Sequence, residues 1–241
     1  MTVNIGLGRS YGRTPDQKRP TKITRNYIEN AAGSCLIETG RTKVICAVTI
    51  EERVQSWRKG SNLGWVTAEC AMLPASTAKR SAREYKGRSM EIERLIGRSL
   101  RTVVDMSGLG GEVTFHVDCD VLQADGGTRT ASITGAWVAL HDAIEMWKGA
   151  GKIQGNPLLD QVAAISVGMV DGRLLLDLDY QEDSHAEVDL NLVMNGRGEI
   201  IEIQGTGEQT PFSREKLNRM LDMAEGGIKE LLEEQRKAIE E

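Results

Sequence analysis

The stretch DCDVLQADGGTRTASITGA, Asp118 to Ala136, decides the fold. It begins as a strand, ends that strand at Asp125-Gly126-Gly127, and opens a helix at about Arg129. Backbone N–H groups at a helix start have no partner inside the helix, and glycines let a ligand approach the backbone closely. With the flanking hydroxyls and a guanidinium, the pattern predicts an anion site. A plain glycine turn with a threonine cap explains the same residues, and the lysine of a GxxxxGK[ST] loop is missing.

Working outward, each half of the chain shows strands followed by a helix. In the first half we expect strands at 42–50, 64–73 and 112–123, with helices at 89–105 and 129–148. In the second half we expect strands at 161–170, 173–180, 187–194 and 199–204, then a helix that starts near Ser213. Residues 1 to about 33 show little periodicity and are predicted to be an arm. This order favours an α+β fold of two pseudo-duplicated halves that meet near residue 150.

The composition of the 241-residue chain is that of a globular protein. Hydrophobic residues make up 40% and charged residues 27%, which excludes disorder across the whole chain. No stretch approaches the roughly 20 apolar residues of a membrane span, so we expect a soluble protein with no membrane partner. The four cysteines lack metal-binding spacing and are typical of reduced thiols in a cytoplasmic protein.

Although the net charge is −5, three segments of the chain each carry an excess of one sign of charge. Basic residues predominate in the first 25 positions and again in 79–101, whereas acidic residues predominate in 177–202. Separated charges can steer a polyanion into a cationic cleft even when the total charge is negative. Ordinary clustering of surface charge accounts for the same pattern.

A group of carboxylates occupies residues 177–189, DLDYQEDSHAEVD. Asp177 and Asp179 are two apart in a predicted strand, so we expect their side chains to share a face. Clustered carboxylates repel one another, which favours raised pKa values or a bound cation, and oxygen ligands suit Mg²⁺ better than zinc. A solvated acidic hairpin is the alternative.

A third candidate is Gly87-Arg88, at the mouth of the first predicted helix. An arginine at a helix start opposes the helix dipole, so an anion nearby would compensate. Arg80 and Arg83 lie just upstream on a basic loop. Taken alone, each of these arginines is more simply explained as solvated surface charge.

Taken together, these motifs resemble the ribonuclease PH family. The resemblance is carried by the opening stretch and by RTPDQKRPTKITRNY (13–27), VTAECAMLP (66–74), GRSMEIERLIGRSLR (87–101), DLDYQEDS (177–184) and EIIEIQGTGE (199–208). It implies a phosphate-dependent 3′ exoribonuclease that trims tRNA precursors. It also implies one domain over 1–241, built from two βαβα halves like ribosomal protein S5 domain 2. The halves would span about 12–150 and 151–241, after an extension at 1–11, and six copies would form a ring as a trimer of dimers.

The resemblance further implies roles for individual residues. Inorganic phosphate, the co-substrate, would be held by Arg88, Gly127, Thr128 and Arg129. Asp183 and Asp189 match positions that serve catalysis or Mg²⁺ binding, with no division of tasks between them. Arg80 and Arg83 match loop arginines that are tied to RNA binding and dimer contacts.

The sequence departs from the family pattern in three places. The loop from Pro74 to Arg88 is several residues shorter, Ala75 stands where an arginine is usual, and extra residues precede Gly12. These changes affect the expected RNA and dimer surfaces, so a non-catalytic RNA-binding ring subunit stays open as an alternative. A small-molecule phosphotransferase is a third hypothesis, which rests on the anion loop alone.

Overall fold

The computed structural model describes residues 8–82 and 87–240, which form two β-sheets and four α-helices. The first half contains β1 (Thr21–Arg25), β2 (Gly33–Thr39), β3 (Thr42–Glu51), β4 (Trp65–Met72), α1 (Gly87–Arg101), β5 (Thr114–Gln123) and α2 (Thr128–Gly149). The strand order is β1-β2-β3-β5-β4, and only β4 and β5 run parallel to each other. Along β3, buried residues alternate with less buried ones, as expected for a sheet with one face on the core.

The second half forms an antiparallel sheet that is covered by a long helix. It contains β6 (Val162–Val170), β7 (Arg173–Leu176), α3 (Tyr180–Asp183), β8 (Val188–Asn195), β9 (Ile200–Thr206) and α4 (Arg214–Glu240). The strand order is β7-β6-β8-β9. Every residue of β6 is buried, which agrees with its uninterrupted apolar sequence. Neither α4 nor any other described helix is long and apolar enough to cross a lipid bilayer.

Helix α2 lies between the two sheets and belongs to both halves. On one side the Cys35 thiol contacts the Gly135 carbonyl oxygen at 3.2 Å, which places α2 against β2. On the other side the Ala164 N–H donates to Thr134 Oγ1 at 3.2 Å, which joins α2 to β6. A helix that is buried on all sides needs no polar face, and most residues of α2 are apolar or small. The position of α2 therefore fixes how the two sheets meet.

The structure confirms the α+β class and the predicted elements from residue 42 onward, with ends shifted by a few residues. One segment differs more. The strand expected over 173–180 ends at Leu176, because Asp177 has a φ of 53° and leaves the extended conformation. The division near residue 150 and the extension at 1–11 stay predictions.

The prediction of an arm up to about residue 33 is wrong for the part that the structure describes. Thr21–Arg25 forms β1, which pairs with β2 at the edge of the first sheet. Arg25 then reaches the end of α4, where it donates to the Ala238 carbonyl oxygen at 3.1 Å, and it pairs with Asp142 at 2.8 Å. Long-range polar contacts of this kind order a segment without leaving any periodicity in its sequence.

The four cysteines lie side by side across the first sheet. Cys35 is opposite Cys46, Cys46 is opposite Cys119, and Cys119 is opposite Cys70. All four are free and buried. Burial raises the pKa of Cys70 to about 12, and hydrogen bonding with the Cys119 and Cys35 thiols raises the pKa of Cys46 well above its usual value. Cys46 and Cys70 therefore stay protonated, and all four side chains pack as small apolar groups.

Gln235 gives a test of how α4 packs on the centre of the molecule. Its buried Nε2 donates to the carbonyl oxygens of Thr134 and Val162, at 2.9 Å each, and its Oε1 accepts from Gln161 at 3.2 Å. Gln235→Leu removes these three buried hydrogen bonds. We therefore expect the free energy of unfolding, measured by urea denaturation, to fall by about 2 kcal/mol or more. The exposed neighbour Arg236→Ala should cost less than about 0.5 kcal/mol, and equal losses in the two variants would contradict the packing role.

Candidate active site

The predicted glycine turn is present at the end of β5 and opens α2. Gly126 and Gly127 have φ values of 75° and 65°, which glycine adopts without strain. Gly127 is the N-cap of α2, and no side chain caps the helix there. The first N–H groups of α2 are therefore left for water or an anion, as the sequence predicts.

Two of the hydroxyls expected at this site are used inside the helix. Thr130 Oγ1 donates to the Gly127 carbonyl oxygen at 2.9 Å, and Ser132 Oγ donates to Thr128 at the same distance. Both side chains are buried. Neither hydroxyl is therefore free to donate to an anion at the turn, whereas Thr128 and Arg129 are only partly buried and lie at the start of the helix.

The glycine turn packs directly on the acidic segment of the second half. A Cβ atom at Gly126 would lie 2.5 Å from the Leu178 carbonyl oxygen and 2.9 Å from the Tyr180 nitrogen. Only glycine permits this approach, because the atoms in the way are backbone atoms that cannot move aside. Two motifs about 50 residues apart in the sequence thus form one site.

Asp177 anchors this junction through a buried ion pair with Arg19. The two carboxylate oxygens accept from Arg19 Nη2 at 2.6 Å and from Nε at 3.0 Å, and Arg19 has no exposed surface. Arg19 Nη1 also donates to the Asp125 carbonyl oxygen at 2.5 Å. Burial alone would lower the pKa of Arg19, but the charge and hydrogen bonds of Asp177 outweigh it and raise that pKa. Through its hydrogen bond to the Asp125 carbonyl oxygen, Arg19 thus fixes the position of the glycine turn.

Asp179 does not share a strand face with Asp177, so that prediction is wrong. Asp179 is the N-cap of α3 and accepts from the Gln181 and Glu182 N–H groups at 3.0 Å, while the Glu182 side chain accepts from the Asp179 N–H. Burial would raise the pKa of Asp179, but the Glu182 N–H is the main cause of a net lowering. Asp177 and Asp179 therefore hold parts of the protein in place and are not a cation site.

The basic N-terminal segment pairs with the acidic segment inside the molecule. Arg9 Nε lies 2.7 Å from Glu182, and Arg13 Nη1 donates to the Asp177 carbonyl oxygen at 2.8 Å. Both of these side chains are almost completely buried. Both interpretations of the basic segment are therefore wrong for Arg9, Arg13 and Arg19. These three arginines neither steer a polyanion nor act as solvated surface charges, because they form ion pairs inside the molecule.

Asp189, near the start of β8, lies among charged groups from three elements. Burial is the main cause that raises its pKa to about 6, and the negative charges of Asp183 and Glu208 add to the increase. The positive charge of Arg129 and a hydrogen bond from Asn191, at 3.3 Å, act in the opposite direction. The raised pKa expected for clustered carboxylates thus occurs at Asp189.

Arg129 is held against the second sheet by a residue that the sequence did not single out. Its Nη1 donates to Gln204 Oε1 on β9 at 3.1 Å. Gln204 is opposite Asn191 in the sheet, and Asn191 bonds to Asp189. One pattern in the sequence could have indicated Gln204. Polar residues two apart in a strand share a face, as Asp189 and Asn191 do on β8 and Gln204 and Thr206 do on β9.

The structure describes only part of the basic segment around the start of α1. Arg80 is exposed, on a loop tied to the glycine turn by a 2.9 Å hydrogen bond from the Ala124 N–H to the Ser76 carbonyl oxygen. Arg83 lies outside the described residues. Arg88 lies in the first turn of α1, but its side chain is outside the described part as well.

The donor set of Asp183 and Asp189 fits a magnesium ion. Asp189 Oδ1 is buried and has no hydrogen-bond partner, so it is available to a proton or a cation. Within residues 8–82 and 87–240, no group of three or more His, Cys, Asp or Glu side chains could hold a metal ion. Mg²⁺ is commonly held by one or two carboxylates together with water and substrate phosphates, so two carboxylates suffice.

Comparison with known proteins identifies the family. The model of the 3′ exoribonuclease family, domain 1, matches residues 17–144, and that of domain 2 matches 160–227. The chain belongs to the ribonuclease PH family. It is 56% identical over 244 residues to ribonuclease PH of Corynebacterium glutamicum strain R, covering 99% of both chains. It is 55% identical to ribonuclease PH of Synechococcus sp. strain CC9605, over 97% of this chain and 95% of that one.

Solved structures share the fold at much lower identity. An Archaeoglobus fulgidus exosome with RNA bound to its active site matches with a TM-score of 0.81 and 22% identity, over 94% of this chain and 92% of that one. An archaeal exosome core matches with a TM-score of 0.74, also at 22% identity, over 93% and 90% of the two chains. These structures confirm the RNase PH fold expected from the sequence.

The raised pKa of Asp189, which is caused mainly by burial, predicts that Asp189→Asn stabilises the metal-free protein above pH 6. Because the pKa of Asp189 is higher in the folded than in the unfolded chain, ionisation destabilises the fold as pH rises from about 4 through about 6. Asparagine removes this effect. With EDTA present, we expect the free energy of unfolding of Asp189→Asn to exceed that of the original protein by about 1 kcal/mol at pH 7.5 and by much less at pH 4.5. The gain is modest because solvent screens a partly exposed carboxylate, and urea titrations at the two pH values measure it.

The exposed carboxylate Asp222 on α4 provides the control. Asp222→Asn should show no comparable dependence on pH. Addition of Mg²⁺ at pH 7.5 should raise the melting temperature of the original protein and not that of Asp189→Asn. A stability difference that is the same at both pH values would contradict the raised pKa of Asp189.

Proposed function

We propose that this chain is a phosphate-dependent 3′-to-5′ exoribonuclease that trims the 3′ ends of tRNA precursors and releases nucleoside 5′-diphosphates. The observation that carries the proposal is the uncapped start of α2, where the positive charge of Arg129 acts on Asp189 and partly offsets the burial that raises the pKa of that carboxyl. An anion-binding turn beside an acidic pair suits the reaction of one phosphate with another. The name of the relatives in Corynebacterium and Synechococcus supports the same activity.

In this proposal the glycine turn holds inorganic phosphate. The N–H groups at the start of α2 and the Thr128 hydroxyl would donate to its oxygens, and the Arg129 guanidinium would supply positive charge. Arg88, in the first turn of α1, is the second proposed guanidinium. Gln204 restrains Arg129 from one side, so the site is organised before phosphate arrives.

The proposed chemistry exchanges one phosphorus–oxygen bond for another. An oxygen of inorganic phosphate attacks the phosphorus of the last phosphodiester, and the bond from that phosphorus to the 3′-oxygen of the preceding nucleotide breaks. The 3′-oxygen takes up a proton, and the last nucleotide leaves as its 5′-diphosphate. Because the new anhydride keeps much of the bond energy, the reverse reaction is a nucleotidyl transfer to the RNA 3′ end.

Asp183 and Asp189 are the proposed ligands of Mg²⁺ and the candidates for proton transfer to the leaving 3′-oxygen. Mg²⁺, when bound, would offset the negative charge on the reacting phosphates. The buried and unpartnered Oδ1 of Asp189 points to a ligand or a proton at that atom. Asp183, on α3, is exposed.

Several properties of the proposal concern the whole protein. Arg80, exposed on the loop whose Ser76 bonds to Ala124, and Arg83 would contact the RNA backbone ahead of its 3′ end. Four free, buried thiols fit a reducing compartment, so we place the protein in the cytoplasm. We also propose a hexamer built as a trimer of dimers.

Arg129→Ala tests the phosphate site. Loss of one preorganised cation at the reacting phosphates should lower phosphate-dependent turnover by at least about 100-fold. The assay follows nucleotides released from a tRNA with extra 3′ nucleotides, with and without inorganic phosphate and Mg²⁺. Nucleoside diphosphates that appear only with phosphate identify phosphorolysis.

Arg219→Ala on α4 gives a matched control, since it removes the charge of an exposed arginine that the proposal does not place at the phosphate. Near-normal turnover of Arg129→Ala at low phosphate would refute the assignment. If the original chain retains RNA but releases no nucleotide, the hypothesis of a non-catalytic ring subunit replaces the proposal.

The exposed apolar side chains predict self-association. Met72, Leu73 and Met90 are each at least 40% exposed, as are Ile200 and Ile203 on the edge strand β9. Apolar groups along sheet edges are commonly covered by another chain. Light scattering at micromolar concentration should give six times the chain mass of 26.4 kDa, or twice that mass if the short loop weakens the ring. A stable monomer would contradict the prediction.

A further inference from the structure

Two tryptophans and two arginines form a compact surface cluster at the far end of the first sheet. Trp57 lies just after β3 and Trp65 begins β4, and their rings meet edge to face with centroids 5.0 Å apart. The guanidinium carbons of Arg58 and Arg101 lie 4.6 Å and 4.5 Å from the Trp65 ring centroid. We call these four residues the Trp–Arg patch. It contains an aromatic face and two cations within one small area.

The patch is held rigidly although it lies at the surface. Arg58 Nε donates to the Gly64 carbonyl oxygen at 2.8 Å, and Arg101 Nη1 donates to the Val66 carbonyl oxygen at 3.0 Å. Each guanidinium is thus fixed by a backbone acceptor on one side and by an indole ring on the other. Trp57 is 63% exposed, and its ring is kept in place by Trp65. A ligand would find these groups already in position.

The two cations have no anionic partner within the described residues. Nine of the 17 described arginines pair with a carboxylate, whereas Arg58 and Arg101 are among those that form no such pair within residues 8–82 and 87–240. Burial lowers the pKa of Arg101, and the positive charges of Arg98 and Arg58 lower it further. A chain with a net charge of −5 therefore keeps two close guanidiniums without a neutralising group.

We propose that the Trp–Arg patch binds unpaired RNA upstream of the 3′ end, with a base stacked on Trp57 and backbone phosphates at Arg58 and Arg101. Single-stranded nucleic acid supplies both a flat aromatic group and a regularly spaced negative charge, which is the combination that the patch matches. The inference rests on the proposed function, since it is the ribonuclease activity that brings RNA to the protein.

The patch lies far from the glycine turn, which sets the length of RNA that can reach both. Trp65 is opposite Thr114 at the start of β5, and the turn follows Gln123 at the end of the same strand. Ten residues of strand span roughly 30 Å. At about 3.4 Å per stacked nucleotide, this distance corresponds to roughly nine nucleotides. The patch therefore selects long unpaired 3′ tails over short ones.

Binding of two fluorescent RNAs, with unpaired 3′ tails of 4 and 16 nucleotides, tests this inference. Fluorescence anisotropy is measured without phosphate, so that the RNA stays intact. Trp57→Ala should weaken binding of the long tail by about 5- to 100-fold and leave the short tail unchanged. Trp57→Phe should restore most of the affinity. Arg58→Gln should reduce the salt dependence of long-tail binding by about one phosphate contact.

Tyr27→Ala is the control, since Tyr27 is 50% exposed and follows β1, at the opposite edge of the same sheet. It should bind both RNAs like the original protein. Equal long-tail affinity in Trp57→Ala and the original protein would overturn the inference. So would a change of oligomeric mass in Trp57→Ala by light scattering, because the patch would then be a contact between copies.

The activity of the original protein on the short tail separates the two proposals. Release of nucleoside diphosphates from the 4-nucleotide tail supports the proposed function whatever the patch does. If neither tail is degraded but Trp57→Ala still binds the long tail more weakly, the patch is an RNA site and the proposed function is wrong.

Discussion

A guanidinium with no exposed surface must be neutralised where it lies, and Arg19 is neutralised by Asp177 at 2.6 Å. Removing one member of such a pair typically costs about 3 to 5 kcal/mol, because the other is left buried and charged. The geometry of the site depends on this pair. Arg19 also donates to the Asp125 carbonyl oxygen behind the glycine turn, and Asp177 leads into the segment that carries Asp183. One ion pair therefore sets the distance between the anion-binding turn and the acidic residues.

The same arrangement explains why neither half contains a complete site. The turn and Arg129 come from the first half, whereas Asp183, Asp189 and Gln204 come from the second. Helix α2 packs against both sheets, so its N-terminus is fixed at the place where the two groups meet. Cations and anions that are segregated in the sequence are thus brought together in space, and the electrostatics of the site arise from long-range contacts.

The sequence predicts what local patterns determine. The glycine turn, the start of α2 and most strands follow from periodicity and turn residues, and the structure places them within a few residues of the expected positions. The ordering of residues 8–33 and the role of Asp177 depend on partners that are more than 100 residues away, and periodicity contains no such information. The sequence pattern assigns Asp179 to a strand because the positive φ of Asp177, which ends that strand early, leaves no trace in that pattern. Gln204 escaped notice because a single glutamine in a strand carries no signal until Arg129 is placed beside it.

The separation of Arg19 and Asp177 also affects how the protein is made. The two residues are 158 positions apart, and a ribosome adds about 5 to 20 residues each second. For roughly 8 to 30 seconds, the nascent chain carries a cation whose only strong carboxylate partner within the described residues has yet to be synthesised. During that interval Arg19 is not yet held in place behind the glycine turn by Asp177. The anion site therefore cannot be completed on the ribosome before much of the second sheet has been translated. Assembly of the site is therefore timed by translation.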